Sequence, residues 1–187
     1  MSVEDRRESI LDAAIPLLID NGVDVPTRLI ADAAGIAEGT LFRVFEDKNA
    51  LIDAALARVM DPAEIVEQLE RIDPALPLER KVFLIVDLLH QRVQRVMRFM
   101  SVLSPRDHAR HHEGRDHRRP PLEESTGVAL RLLEPHRDEL RVDPQDAVDL
   151  LRVLVFGSAM PFMQTGRELT SSALADFIML GISKEGQ

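Results

Sequence analysis

The sequence predicts an all-α fold, and three observations carry that prediction. Leu, Ala, Arg, Asp and Glu dominate the chain while Trp and Tyr are absent, a usage that suits helices better than sheets. Apolar residues recur at helical spacing in one segment after another. Between those segments stand helix-ending and helix-starting pairs such as Asn21-Gly22, Asp61-Pro62 and Asp143-Pro144.

The first helix is expected over Ser2–Asp20. Ser2 and Asp5 resemble a capping box with the shorter acid, and Ile10, Leu11, Ala14, Leu17 and Leu18 form the buried stripe. Pro16 removes one backbone hydrogen bond, so a kink is expected there, and Asn21-Gly22 ends the helix. In Val25–Leu51 the second helix starts at Thr27, whose hydroxyl would accept from an N–H one turn in. Leu29, Ile30, Ala33 and Ala34 give it an apolar face. Gly35 ends it in a left-handed conformation and Ile36 plugs the turn. Ala37–Phe45 forms the third helix, with Leu41, Val44 and Phe45 inward and Glu38, Thr40, Phe42 and Arg43 outward. Two helices crossing over a short glycine turn make a helix-turn-helix, whose second helix fits the DNA major groove.

Asp47 caps a fourth helix that runs to Met60 and buries Leu51, Ile52, Ala55 and Leu56. With Asp61 as cap and Pro62 at its first position, a short helix reaches about Arg71 and buries Ile65 and Leu69. Asp73-Pro74 and Pro77 turn the chain. A long helix from Leu78 to about Leu103 carries Val82, Ile85, Val86, Leu89, Val93, Val96, Met97 and Met100 at helical spacing. Residues 104–121 hold almost no apolar side chain and are expected as a loop. Leu122–Leu133 is a helix ended by Glu134-Pro135. Asp143-Pro144 opens another, bearing Ala147, Leu150, Leu151, Leu154, Val155 and Ala159, and Pro161 kinks or ends it. Gly166 breaks the chain, and Thr170 or Ser171 caps a last helix with Leu174, Phe177, Ile178 and Leu180.

Composition narrows the function. There is no cysteine, hence no disulfide framework, thiolate metal site or thiol nucleophile. The N-terminus is not a signal peptide, and no apolar stretch approaches the ~20 residues that cross a bilayer, so a soluble, cytoplasmic protein is expected. Neither a GxSxG elbow nor a P-loop appears, no catalytic residues can be named, and an enzyme is not expected. The acidic balance weighs against a nucleic-acid partner: residues 1–50 carry five basic side chains (Arg6, Arg7, Arg28, Arg43, Lys48) against ten acidic ones. Such a head cannot hold DNA through bulk charge; a few well-placed cations and a dimer must do it.

The stretch from Arg7 to about Leu51 resembles the DNA-binding domain of the TetR/AcrR family of bacterial repressors. Ile10, Ala13, Ala14 and Asn21-Gly22 carry the likeness, followed by the run IADAAGIAEGTLFRVFEDKNAL. The resemblance implies two domains: a helix-turn-helix DNA-binding domain at 1–50, with a linking helix at 47–60, and a helical ligand-binding and dimerisation domain at 51–187. It implies phosphate contacts from Thr27 and Lys48. The family usually has tyrosine where this chain has Phe42, so the hydroxyl that would bond a phosphate is missing, and packing against sugar or a thymine methyl is what remains. It also implies an inducer cavity in the second domain and a dimer built from the last two helices.

From the residues themselves, Arg43 is suited to guanine, Glu38 to a cytosine amino group or to the helix N-terminus, and Thr40 and Arg28 complete the expected DNA surface. Flexible and aromatic side chains nominate Phe83, Met97, Met100, Leu130, Leu133, Phe156 and Met160 for the pocket of a small apolar effector. The last two helices, joined through Pro161 and Gly166, nominate Leu150, Leu154, Gly157, Ser158, Leu174, Phe177 and Ile178 for the dimer interface. In residues 104–121, His108 and His112 stand at a zinc-compatible spacing, but the surroundings are Arg-rich; no metal or cofactor is expected. The reading is a ligand-responsive repressor that binds a palindromic operator as a homodimer. Two others stay open: a helical ligand-binding or interaction protein without operator binding, and a metal-dependent enzyme using the histidines.

Overall fold

The computed structural model describes residues 2–103, 123–160 and 169–184. Within these the chain is helical, and an isolated antiparallel bridge pairs Leu140 with Ser183. The described residues fall into two compact units: 2–61 with 98–103, and 62–97 with 123–160 and 169–184. Helix-turn-helix and C-terminal helical region are both present, as the sequence predicts.

In the first unit α1 (Val3–Asn21) opens with a reciprocal cap. Ser2 Oγ accepts from the Asp5 N–H at 3.0 Å, and Asp5 Oδ2 accepts from the Ser2 N–H at 2.7 Å. Those bonds, the one from the Ser2 backbone foremost, hold the Asp5 carboxyl below its ordinary value. The helix runs through Pro16 to Asn21, and Gly22, at φ +78°, ends it with its N–H on Leu18 O. Ile10, Leu11, Ala14 and Leu18 face inward, and α1 packs on α2 (Thr27–Ala33), α3 (Glu38–Val44) and α4 (Lys48–Met60). Asp47 Oδ1 caps α4 by accepting from the Ala50 N–H at 2.8 Å. Arg58 Nε meets Glu8 Oε2 at 3.0 Å, tying α4 to α1.

In α2 the buried residues are Ile30 and Ala31, while Leu29 and Ala33 are exposed, a correction to the expected face. Over seven residues the apolar pattern fits two faces rotated by one residue equally well, and packing on α1 selects between them.

In the second unit, Pro62 occupies the cap position of α5 (Ala63–Glu70) rather than its first turn. There follow α6 (Leu78–Val102), which belongs to this unit as far as Met97, then α7 (Glu123–Leu133), a 3₁₀ turn (Glu134–Glu139), α8 (Pro144–Ala159) and α9 (Ser171–Ile182). Asp143 and Thr170 cap α8 and α9 through the N–H groups of Gln145 and Ala173. Val82, Ile85, Val86, Leu89 and Val93 of α6 join Ile65 and Leu69 of α5 and the inner faces of α7, α8 and α9 in one core. Each such side chain contributes about 1.5–3 kcal/mol of burial. Near its end α6 departs from the expected stripe: Val96, Met97 and Met100 are half-buried, and Phe99 is buried instead.

Lys81, which no sequence pattern singles out, is only 1% exposed. Its Nζ donates to His136 Nε2 at 2.8 Å, and His136 Nδ1 in turn donates to Glu139 Oε1 at 2.6 Å. This chain of bonds pins the 3₁₀ turn to α6. His136→Ala strands a buried donor and should cost about 2–3 kcal/mol, whereas Lys81→Met removes the demand along with the donor and should be neutral or stabilising. Urea unfolding of the two variants checks the contrast.

On the surface, Arg137 reaches Asp143 at 2.6 Å and Glu134 at 2.8 Å. The guanidinium, then the Gln145 N–H, hold the Asp143 carboxyl below its ordinary value, and the two carboxylates raise Arg137. Stability from a depressed carboxyl is complete above the unfolded value near pH ~4 and is lost as pH falls through the lower folded value. The melting-temperature gap between wild type and Asp143→Ala should therefore shrink from about pH 7 to about pH 3. The pair is exposed, so the gap is small and screened by salt.

Candidate nucleic-acid interface

The reading head is built around one turn. Asp32 and Ala31 near the end of α2 accept from the N–H groups of Gly35 (3.1 Å) and Ile36 (3.0 Å). Gly35 stands at φ +67°, where a side chain would be strained. This paired pattern with a left-handed glycine closes α2 and turns the chain sharply into α3. On α3, Leu41 and the following Phe45 are buried, and Val44 is half-buried. The guanidinium of Arg7, from α1, lies 4.8 Å from the centre of the Phe45 ring. One of the five cations of residues 1–50 is thereby engaged against the core rather than offered to a partner.

The outward side of the head carries the residues expected there. Glu38, Arg43 and Phe42, the last 43% exposed, lie open on α3, and Thr40 is half-buried. Arg28 on α2 is exposed, with only a loose 4.0 Å approach to Asp32. Lys48, the first residue of α4, is half-buried. Among the described residues neither Arg43 nor Lys48 has an ion-pair partner within 4.0 Å, so both cations are free to meet an anion. At the start of α3, Ala37 provides no side-chain cap for the first N–H groups of the helix.

Thr27 is placed differently from expectation. The cap of α2 is Pro26, Thr27 is its first helical residue, and no side chain caps the helix. Instead the Thr27 hydroxyl donates to Glu38 Oε1 at 2.6 Å. Two side chains expected to touch DNA independently are bonded to each other across the turn. They lie eleven positions apart in sequence, a separation at which no periodic rule would have paired them.

Residues 10–55 match the sequence pattern of bacterial regulatory proteins of the tetR family. The first unit thus contains the stretch that is similar to that family. The transcriptional repressor KstR of Mycobacterium tuberculosis is 34% identical over 92 residues, 49% of this chain and 41% of that protein. The class D tetracycline repressor protein of Escherichia coli is 40% identical over 55 residues, 29% of this chain and 25% of that protein. The matched stretches thus span less than half of these relatives. Over 95% of this chain and 98% of its own, the TetR regulator SCO0520 of Streptomyces coelicolor superposes with a TM-score of 0.61 at 22% identity. The superantigen PfiT gives 0.59 at 20%, covering 99% and 100%. Such distant likenesses bear on the helical fold alone, while function rests on sites rather than fold.

The residues nominated for an effector are only partly gathered. Phe83, Met97, Leu130 and Phe156 are half-buried against the core of the second unit, and Leu133 lies within it. Met100 and Met160 are half-buried but outside that cluster. A groove of about 650 Å³ lies elsewhere, walled by Leu78, Glu79, Asp138, Glu139, Asp176 and Leu180 among others, and contains none of the nominated side chains. For the dimer face, Leu150 and Phe177 are exposed, at 48% and 65%, and Leu154, Gly157 and Ser158 are half-buried. Leu174 and Ile178 are a correction: only 6% and 2% exposed, they fill the core of their own subunit. Val153 and Leu180, not among the residues nominated from sequence, are exposed one helical turn from Leu150 and Phe177. Residues 104–121, with their histidines, lie outside the described residues, and no metal-ligating group of three occurs among the described ones. No described helix is long and apolar enough to cross a membrane.

Proposed function

We propose that this chain is a DNA-binding transcriptional repressor, acting as a homodimer and released or engaged by a small apolar effector. One observation carries the reading. A glycine turn presents α3 with Arg43 unpaired on its outer side and Lys48 unpaired just beyond its end. Arg43 supplies two parallel donors for guanine, while Arg28, Lys48 and, once it leaves Glu38, Thr27 supply phosphate contacts. Phe42 adds apolar contact. The repressor names of KstR and of the tetracycline repressor support this assignment.

The dimer is supported by the outer sides of α8 and α9. Leu150, Val153, Leu154 and Gly157 recur at helical spacing on α8, and Phe177 and Leu180 lie exposed on α9. An apolar stripe of this kind pairs with its own copy about a two-fold axis, which sets two reading heads on successive turns of one DNA face, ~34 Å apart. For the effector, the half-buried Phe83, Met97 and Phe156 are adaptable walls, and SmeT, a structure that superposes with a TM-score of 0.58 at 21% identity, is a triclosan complex. An effector shifts operator affinity only as far as it binds one conformation better than the other. Catalysis and metal binding have no support among the described residues.

Arg43→Ala should lower affinity for the operator, sought first in the chain's own upstream region, by at least tenfold while leaving the dimer folded. A gel shift beside a circular-dichroism melt checks it; undiminished binding would remove Arg43 from the interface. Phe177→Glu should convert the dimer to a monomer in sedimentation, with operator affinity falling in step, and an intact dimer would move the interface off α9.

A further inference from the structure

We propose that Glu38 is a sequence-sensing latch: it holds the Thr27 hydroxyl proton until a cytosine amino group takes its place. The inference rests on the DNA-binding reading above and adds to it a coupling between base readout and phosphate anchoring.

The geometry is specific. Thr27 opens α2 and Glu38 opens α3, and the hydroxyl donates to Glu38 Oε1 at 2.6 Å. A threonine hydroxyl has one proton. While it points at Glu38 it cannot be given to a phosphate. The second carboxylate oxygen has no hydrogen-bond partner among the described residues, and Glu38 is exposed. The latched head therefore opposes a generic duplex twice: it withholds a phosphate donor, and it offers a negative charge to a polyanion.

Only a donor on a base edge can relieve this. In the major groove the donors are the amino groups of cytosine and adenine. Adenine sets its N7 acceptor beside the amino group, where it repels a carboxylate, so a C·G pair is the match. When Glu38 rotates off Thr27 to bring its carboxylate to that amino group, the Thr27 proton is freed for the adjoining phosphate; a base bonded through the free oxygen alone would leave the latch closed. One correct base thus exchanges one hydrogen bond for two, and a wrong one leaves the carboxylate with the Thr27 proton alone and no donor on the base edge.

The test uses the full-length protein and its Glu38→Gln and Glu38→Ala variants, each checked for an unchanged melting curve. Enrichment from a random-sequence duplex library reads the sequence preference, and fluorescence anisotropy on an unselected random duplex reads the generic affinity. Wild type should enrich a C·G pair at one fixed position in each half-site. Both variants should lose that preference, glutamine shifting it toward adenine, and should bind the random duplex about fivefold more tightly as one repelling charge is removed. Adding Thr27→Val to Glu38→Gln should cancel much of that gain. Should the variants keep the wild-type preference and the wild-type affinity for random duplex, Glu38 is only a staple between two helices and the latch is wrong. Should wild type and variants alike bind no duplex, the DNA-binding reading itself fails, and the latch with it.

Discussion

The left-handed backbone at Gly35 is the constraint on which the head depends. It lets the chain leave α2 and enter α3 within a few residues, with the N–H groups of Gly35 and Ile36 returned to α2. A side chain at that conformation would cost roughly 1 kcal/mol or more. From this turn follow the burial of Leu41 and Phe45, the exposure of Arg43 and the approach of Glu38 to Thr27. Ala31 links these roles, since it is buried in the first unit and its carbonyl receives the Ile36 N–H.

The charge of the head is consistent with this economy. With ten carboxylates against five cations in residues 1–50, attraction to DNA cannot come from the sum. Several charges are already committed. Arg7 lies over Phe45, Glu8 meets Arg58, Asp5 is held in the cap of α1, and Asp47 caps α4. What is left for a partner is a small set of cations beside one occupied hydroxyl. A surface of this type favours selectivity over tight generic binding.

Much of the fold was legible in the sequence because its signals are local. The capping box at Ser2, the glycine ends at Gly22 and Gly35, the cap at Asp47 and the Asp143-Pro144 start are each set by neighbours within a few residues, and each appears in the structure. What was not legible depends on which helix packs against which. Leu29 reads as buried until packing on α1 selects Ile30 and Ala31. Leu174 and Ile178 sit on an apolar helix whose two faces look alike in sequence, and only the fold sends these two inward and Phe177 outward. Lys81 reads as surface until His136, fifty-five positions later, arrives to accept its hydrogen bond. Helical period alone accounts for the exposure of Glu38, Phe42 and Arg43 on α3, with Thr40 half-buried, whereas the Thr27–Glu38 bond crosses a turn and needs three dimensions.

In the proposed function an acidic head recognises a particular DNA sequence through few, placed cations. The most direct measurement is the salt dependence of binding by the full-length protein to its own upstream region and to a scrambled duplex of the same length. Arg28 and Lys48 on each of two heads provide four phosphate-directed cations, so log K should fall with log salt at a slope of roughly −3.6, with clear preference for the native sequence. A slope near −8 or steeper, or equal affinity for the scrambled duplex, would contradict the account.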